Sequence, residues 1–280
     1  MIVITGATGN IGRPLVAELA RQGQDVTAVS RGGTAPLDSP RVRGMSADLT
    51  DPGSLRRAVD GASAVLLLVP GAGGHLDRER IIAAAADAGV RRLVLVSSQA
   101  AGTRPESLSH RPMAELEKLV QGSGLDWTVL RPAGFYTNAF AWVPTVRAGR
   151  AVHAPFGDVA LPGVDPLDIA VVAAAALTEE GHAGRTYELT GPETTTPRER
   201  TAALAGVLGI SLTFVELTRE QAFAGMREVM PEEIADGTRS ILGEPTGRER
   251  AISPDVEKVL GRPARTFADW ARRNAAAFRA

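Results

Sequence analysis

Three glycines near the start of the chain, Gly6, Gly9 and Gly12, stand at G-x-x-G-x-x-G spacing within TGATGNIG. Glycines at this spacing suit the holding of a diphosphate. A glycine turn presents backbone N–H groups with no Cβ to keep a ligand away, and a helix beginning at once adds its positive end. Gly6 suits the sharp turn and Gly9 the close approach of a pyrophosphate. Gly12 lets the helix pack tightly on the preceding strand. Thr8, Asn10 and Ile11 fill the positions between and complete the expected cradle.

The flanking residues supply the elements that such a cradle needs. Ile2–Ile4 is a short β-branched run, read as the central strand of a parallel sheet, and Ile11, Leu15, Val16 and Leu19 mark one face of a helix. Glycine spacing alone recurs by chance; a strand before it and a helix after it make a dinucleotide site the expected reading. The second strand, Asp25–Ser30, ends at Arg31, with Gly32 and Gly33 behind. An NAD site usually carries Asp or Glu here for the ribose 2′-hydroxyl, whereas a guanidinium forks onto a phosphate. NADPH is therefore expected over NADH, with Arg31 on the 2′-phosphate and Arg13 as a second candidate.

Later segments repeat the alternation. Val42–Ser46 is a short third strand; Asp48 follows, placed to accept from the adenine amino group, and Asp51 caps the helix Pro52–Val59. Ala64–Val69 is an unbroken apolar run, so Val69 and Pro70 would pass beside the cofactor at the carboxyl edge of the sheet. Leu76–Ala88 reads as a helix and Arg92–Val96 as the fifth strand, with Ser97 and Ser98 at its end. Met113–Gln121 reads as a helix and Asp126–Leu130 as the sixth strand, closing with Arg131-Pro132. The expected fold is α/β, a Rossmann-type doubly wound parallel sheet with ligands outside its carboxyl edge. Residues 1–134, completed by about 163–190, would form the nucleotide-binding domain. Residues 135–162 and 191–280, where the period changes and prolines punctuate, would form a smaller substrate lobe. In that lobe Thr266–Phe278 is amphipathic, with Phe267, Trp270 and Phe278 expected in the core.

Composition excludes several classes. The chain has 280 residues, no cysteine, 31 Lys+Arg against 32 Asp+Glu, and 44% hydrophobic residues. Near-zero net charge gives no field for nucleic acid or a membrane surface. The lack of cysteine removes disulfides, thiol nucleophiles and cysteine metal sites. His75, His153 and His182 show no metal-ligand spacing, so no metal is expected. Met1 runs directly into the first strand, and no apolar run reaches the ~18 residues of a membrane span; a cytoplasmic location is the expectation. No G-x-S-x-G elbow marks a hydrolase.

The combination of TGATGNIG (5–12), VTAVSR (26–31), RRLVLVSS (91–98), ELEKLVQGSGLDWTVLRPAGFYTN (115–138) and DIAVVAAAALTEEGHAGRTYELTGPE (168–193) resembles the NmrA-like branch of the atypical short-chain dehydrogenase/reductases. The resemblance implies NADPH-dependent reduction of quinones, azo dyes or related aromatics. It also admits a non-catalytic NADP(H)-binding redox sensor, or a cofactor-assisted enzyme of aromatic polyketide tailoring. It implies that the loop Arg131–Gly134, with Pro132, lines both nicotinamide and substrate; Phe135, Tyr136 and Asn138 follow that loop and are read as substrate contacts, with plain packing the alternative for the two aromatics. The oligomeric state is left open, a homodimer being the arrangement considered.

Most short-chain dehydrogenases donate a proton from a Tyr-x-x-x-Lys pair. Here the only tyrosines are Tyr136 and Tyr187, and the positions four residues on hold Phe140 and Gly191. Ser109 and Met113 stand roughly where the pair would fall. The remaining proton donors are His110, which begins that helix and titrates near neutral pH, and Tyr136. Ser97 and Ser98 lie where the nicotinamide ring is expected. A quinone suits such a site, since its reduced form is a stabilised anion resembling a phenolate of pKa about 10.

Overall fold

The computed structural model describes residues 1–71 and 73–279. In chain order the elements open with β1 (Ile2–Thr5), α1 (Gly12–Arg21), β2 (Val26–Ser30), β3 (Val42–Ser46), α2 (Pro52–Val59) and β4 (Ala64–Leu68). There follow α3 (Arg78–Asp87), β5 (Arg92–Val96), α4 (Gln99–Thr103), α5 (Arg111–Gln121) and β6 (Asp126–Pro132). Next come β7 (Gly134–Phe135), a 3-10 helix (Tyr136–Trp142), α6 (Val143–Gly149), β8 (Ala151–Ala154), β9 (Leu161–Val164), α7 (Pro166–Thr178) and β10 (Arg185–Leu189). The chain ends with β11 (Thr194–Thr195), α8 (Pro197–Leu208), β12 (Thr213–Glu216), α9 (Arg219–Val229), α10 (Glu232–Gly243), α11 (Gly247–Arg250), α12 (Asp255–Leu260) and α13 (Phe267–Phe278).

These elements divide into two compact units. The first holds residues 1–105, 110–132 and 166–188; the second holds 106–109, 133–165 and 189–280. In the first unit a seven-stranded sheet has the order β3-β2-β1-β4-β5-β6-β10, and the pairings from β3 through β6 are parallel. Parallel strands need crossovers, and the helices that make them cover both faces, which is why β1, β2 and β4 are apolar at nearly every position. Val3, Val65, Leu67, Leu93, Leu95 and Val129 pack with Leu55, Ile81, Leu116 and Val120 in one core. The chain runs from β1 outward to β2 and β3, then returns to β4 on the other side of β1. That reversal opens a crevice at the carboxyl ends of β1 and β4. The Thr5 hydroxyl pins those two ends: it accepts from the Leu68 N–H at 2.8 Å and lies 3.0 Å from the Leu68 carbonyl.

Where the sheet differs from the sequence expectation, a cap decides. The helix expected over 76–88 begins at Arg78, because the Asp77 carboxylate accepts the Arg80 N–H at 3.1 Å and Leu76 stays in the turn before it. The five-residue α4 was not foreseen, being too short to show a period; Ser98 caps it by accepting the Ala100 N–H at 3.2 Å.

The second unit is held by aromatic residues. Phe267, Trp270 and Phe278 of α13, each 2% exposed, cluster with Tyr136, Val146, Val152 and Leu204. Tyr136 meets Phe267 edge to face at 5.4 Å, and Phe140 meets Trp270 at 5.1 Å. Around this cluster lie two small sheets, β11-β9-β7 and the parallel pair β12-β8. The α9–α10 helix pair includes one helix, 232–243, that sequence periodicity did not anticipate.

Phe267→Ala is expected to lower stability by about 3–5 kcal/mol, and Val229→Ala, at a 79% exposed site, to stay within about 0.5 kcal/mol; chemical denaturation reads both. Asp269 closes the capping box of α13 with Thr266, and those hydrogen bonds with a further one from Arg272 lower its pKa from 3.8 to about 2. A carboxylate whose folded pKa is depressed adds stability above its unfolded pKa and loses it on acidification. The difference in stability between the native chain and Asp269→Asn should therefore shrink as pH falls from about 4 to about 2; acid titration of the melting temperature checks it.

Candidate functional site

The crevice begins at the turn between β1 and α1. Gly6 sits at φ +64°, and a Cβ there would stand 2.9 Å from Leu68 Cδ2. Gly12 is tighter: its Cβ would lie 2.2 Å from the Gly6 carbonyl oxygen and 2.7 Å from Ala7 Cα, both backbone atoms that cannot move aside. Gly9 has more room, with 3.3 Å to the Gly6 oxygen. The turn is closed by Ala7 N–H to Val29 O at 3.1 Å and Gly9 N–H to Gly6 O at 3.0 Å. Helices α2, α3 and α4 each begin under a side-chain cap from Asp51, Asp77 or Ser98. Helix α1 begins at Ile11 with no side-chain cap and no acidic residue in its first turn. The positive end of that helix thus lies beside three glycines with neither a capping side chain from its N-cap residue nor a carboxylate in its first turn, an arrangement suited to an anionic ligand.

Along the edge at β2 and β3, Arg31 is exposed at the end of β2, and its carbonyl accepts the Ser46 hydroxyl at 2.9 Å. The following loop lies flat on β3, since a Cβ on Gly44 would meet the Gly33 oxygen at 2.3 Å and the Ala35 nitrogen at 2.5 Å. Asp48 is exposed beyond β3. Its Oδ1 accepts both the Thr50 N–H (2.9 Å) and the Thr50 hydroxyl (2.8 Å). Those bonds lower its pKa, and the nearby positive charges of Arg31 and His75 lower it further. Arg31 and Asp48 are thus brought together at one edge, with His75 as a neighbour that sequence reading passed over. Asp48 was expected to meet the adenine, and one of its two oxygens is already engaged by its own turn.

At the ends of β4, β5 and β6 the candidates are placed differently. Val69 is 6% exposed and packs inward, while Pro70 is exposed at the head of a turn closed by Gly73 N–H to Pro70 O at 3.3 Å. Pro132 is buried at the end of β6. Ser98 is committed as the α4 cap. Ser97 is 7% exposed, and its hydroxyl donates to the carboxylate of Glu117 on α5. Glu117, 3% exposed, also takes Arg131 in a bidentate grip: Nε to Oε1 at 3.0 Å and Nη2 to Oε2 at 2.6 Å. The hydrogen bond that Arg131 donates to Glu117, above all, raises the pKa of Arg131. Arg131 reaches Glu188 at 3.4 Å as well, and a Cβ on Gly102 would stand 2.4 Å from Arg131 Nη1. Glu117 was missed, yet a signal existed. It falls on the buried face of α5 with Met113, Leu116 and Val120, and a carboxylate there requires a partner. His110 is the half-buried N-cap residue of α5 and makes no side-chain capping bond. Met113 lies in the core of the first unit.

In the second unit Phe135 is half-buried and Asn138 exposed. Tyr136, expected to face the substrate and donate a proton, is 1% exposed. Its ring is enclosed by Phe267, Gly163 and Gly191, and a Cβ on Gly191 would lie 2.2 Å from its hydroxyl oxygen. The backbone of the 3-10 helix turns Tyr136 into the aromatic core, so its place is a packing one. Among the described residues no acidic or histidine cluster is arranged for a metal ion, and no helix is long and apolar enough to cross a membrane.

A family model described as NAD(P)H-binding matches residues 6–180, and the chain belongs to that family. Among curated relatives, (4-alkanoyl-5-oxo-2,5-dihydrofuran-3-yl)methyl phosphate reductase of Streptomyces griseus subsp. griseus is 39% identical over 280 residues, covering 99% of each chain. NAD(P)H azoreductase of Xenophilus azovorans is 33% identical, again over 99% of each. Among solved structures, the NADPH-dependent quinone oxidoreductase of Escherichia coli complexed with NADPH superposes with a TM-score of 0.81 at 27% identity, over 98% of this chain and 99% of that one. These kinships place the chain among the NAD(P)H-dependent oxidoreductases, with neighbours of the NmrA-like, atypical short-chain type. The residues fit the cofactor: the cradle of Gly6, Gly9 and Gly12 has no room for a Cβ at Gly12, and the helix behind it begins without a cap.

Gly12→Ala should overpack the turn, lowering stability by about 1–3 kcal/mol and removing tight dinucleotide binding. Gly9→Ala should keep its melting temperature closer to that of the native chain. Thermal unfolding and calorimetric titration with NADPH distinguish them.

Proposed function

We propose that the chain is an NADPH-dependent reductase of a quinone or a similarly conjugated acceptor, working without a Tyr-x-x-x-Lys acid. The observation that carries this reading is the uncapped glycine turn with Arg31 at the neighbouring strand end, on a chain whose two tyrosines lack the paired lysine. Gly6, Gly9 and Gly12 leave room for the diphosphate, and the first turn of α1 faces it. Arg31, exposed and held through its own carbonyl by Ser46, is the residue for the 2′-phosphate. Val69, Pro70, Ser97, Ser98 and Pro132 are the residues proposed for the redox end. When bound, NADPH supplies the hydride.

The chain's own contribution is to orient the acceptor and keep water away. An acceptor that becomes a delocalised oxyanion, with a conjugate acid of pKa about 10, needs little acid assistance. The substrate in the name of the Streptomyces relative, an acylated unsaturated lactone, is also a conjugated acceptor, which supports this class over simple ketones. Phe135 and Asn138, which follow the Arg131–Gly134 loop in the chain, are the proposed substrate contacts. His110 is the proposed proton donor, and Tyr136 is assigned to packing.

Steady-state NADPH oxidation with a panel of quinones, azo dyes and acylated butenolides tests the reading. Turnover with one of these classes and none with simple ketones is expected; binding of NADPH without turnover of any acceptor would favour a redox sensor instead. For Arg31→Asp, loss of a charge-assisted bond worth about 1.5–3 kcal/mol predicts about a tenfold to hundredfold fall in NADPH affinity. NADH affinity should change much less. Equal losses for both cofactors would remove Arg31 from the 2′-phosphate.

A further inference from the structure

The ends of β5 and β6 and the inner face of α5 meet on one carboxylate. Glu117 Oε1 takes the Ser97 hydroxyl and Arg131 Nε; Oε2 takes Arg131 Nη2. Ser97 follows the last residue of β5, Arg131 is the penultimate residue of β6, and Pro132 closes that strand. The strand ends are joined as well by Ser97 N–H to Leu130 O at 2.7 Å. Arg131 is seated from the other side by Gly102 of α4, where a Cβ would stand 2.7 Å from its Cζ. Helix α4 is itself begun by Ser98. One ion pair on a buried carboxylate thus reaches, directly or through a single neighbour, Ser97, Ser98 and Pro132.

We propose that Glu117, acting through Ser97 and Arg131, is the positioning residue for the redox end of the cofactor site, setting the strand ends against which the nicotinamide lies. This rests on the assignment of Ser97, Ser98 and Pro132 to that end. Three donors on a carboxylate 3% exposed allow one arrangement of the two strand ends. A simpler apolar packing would hold the strands together without fixing how far each extends toward the crevice. The diphosphate turn is closed on Val29 and Gly6 and the Arg31 carbonyl takes Ser46, so the two ends of the site are held by different residues.

The test compares Glu117→Gln and Gly102→Ala with the native chain. Glu117→Gln keeps the side chain's size and removes its charge. Gly102→Ala keeps Glu117 and displaces the Arg131 guanidinium, which preserves a test should the first variant fail to fold. Two probes are titrated: 2′,5′-ADP, which carries only the adenosine half, and NADPH. The kcat with a quinone is measured beside them. Both variants are expected to bind 2′,5′-ADP as the native chain does, to bind NADPH more weakly, and to lose about tenfold to hundredfold in kcat. Equal weakening of both probes, or unchanged NADPH affinity and kcat with only a lower melting temperature, would overturn the proposal and leave the pair a structural role. If the native chain binds both probes and reduces no acceptor, the reductase reading fails, while the ratio of the two affinities still decides the role of Glu117.

Discussion

Everything proposed for this chain depends on the start of one helix. The N–H groups of a first helical turn need a partner, and most helices supply one from a side chain. Helix α1 supplies none, and the residue packed closest to the turn, Gly12, has no space even for a methyl group. The packing that holds the turn shut therefore also keeps it bare. Parallel strands on either side of β1 make the crevice, and the Thr5 hydroxyl ties its two walls together. A diphosphate is the ligand that such a concave set of backbone donors suits best.

The proposed redox end is built on a different principle. Its strand ends are held by a buried carboxylate and a half-buried guanidinium, a pair costly to desolvate and more costly to break. Burial of that kind restricts geometry more than it adds stability. It suits a place where a reacting ring must be set to within a fraction of an ångström. At the proposed phosphate end an exposed arginine suffices, because a phosphate presents several equivalent oxygens. A redox end, where hydride would pass between two particular atoms, has no such latitude.

The second unit draws its cohesion from α13 and the 3-10 helix after Pro132. That cohesion explains the fate of Tyr136. A tyrosine near a presumed substrate loop invites a catalytic reading, but its ring closes an aromatic cluster with Phe267 and lies over the backbone of Gly163 and Gly191. On the function proposed above, chemistry without a tyrosine–lysine pair falls to acceptors that stabilise their own negative charge, a class to which the names of the azoreductase and quinone oxidoreductase kin also point.

Read alone, the amino-acid sequence determined the alternation of strands and helices, the glycine turn and its ligand class, Arg31 at the second strand end, and the core face of α13. These are local matters: a period of 2 or 3.6, a residue without a Cβ, a charge at a known step after a strand. Tertiary structure alone decided that Ser97 faces Glu117, that Arg131 is gripped rather than solvated, that His75 lies near Asp48, and that Tyr136 is enclosed. Each of these pairs residues 14 to more than 100 positions apart, and no local pattern encodes which buried donor a distant acceptor will meet. Helix α4 and the start of α3 also waited on the structure, because a single cap outweighs propensity in so short a segment.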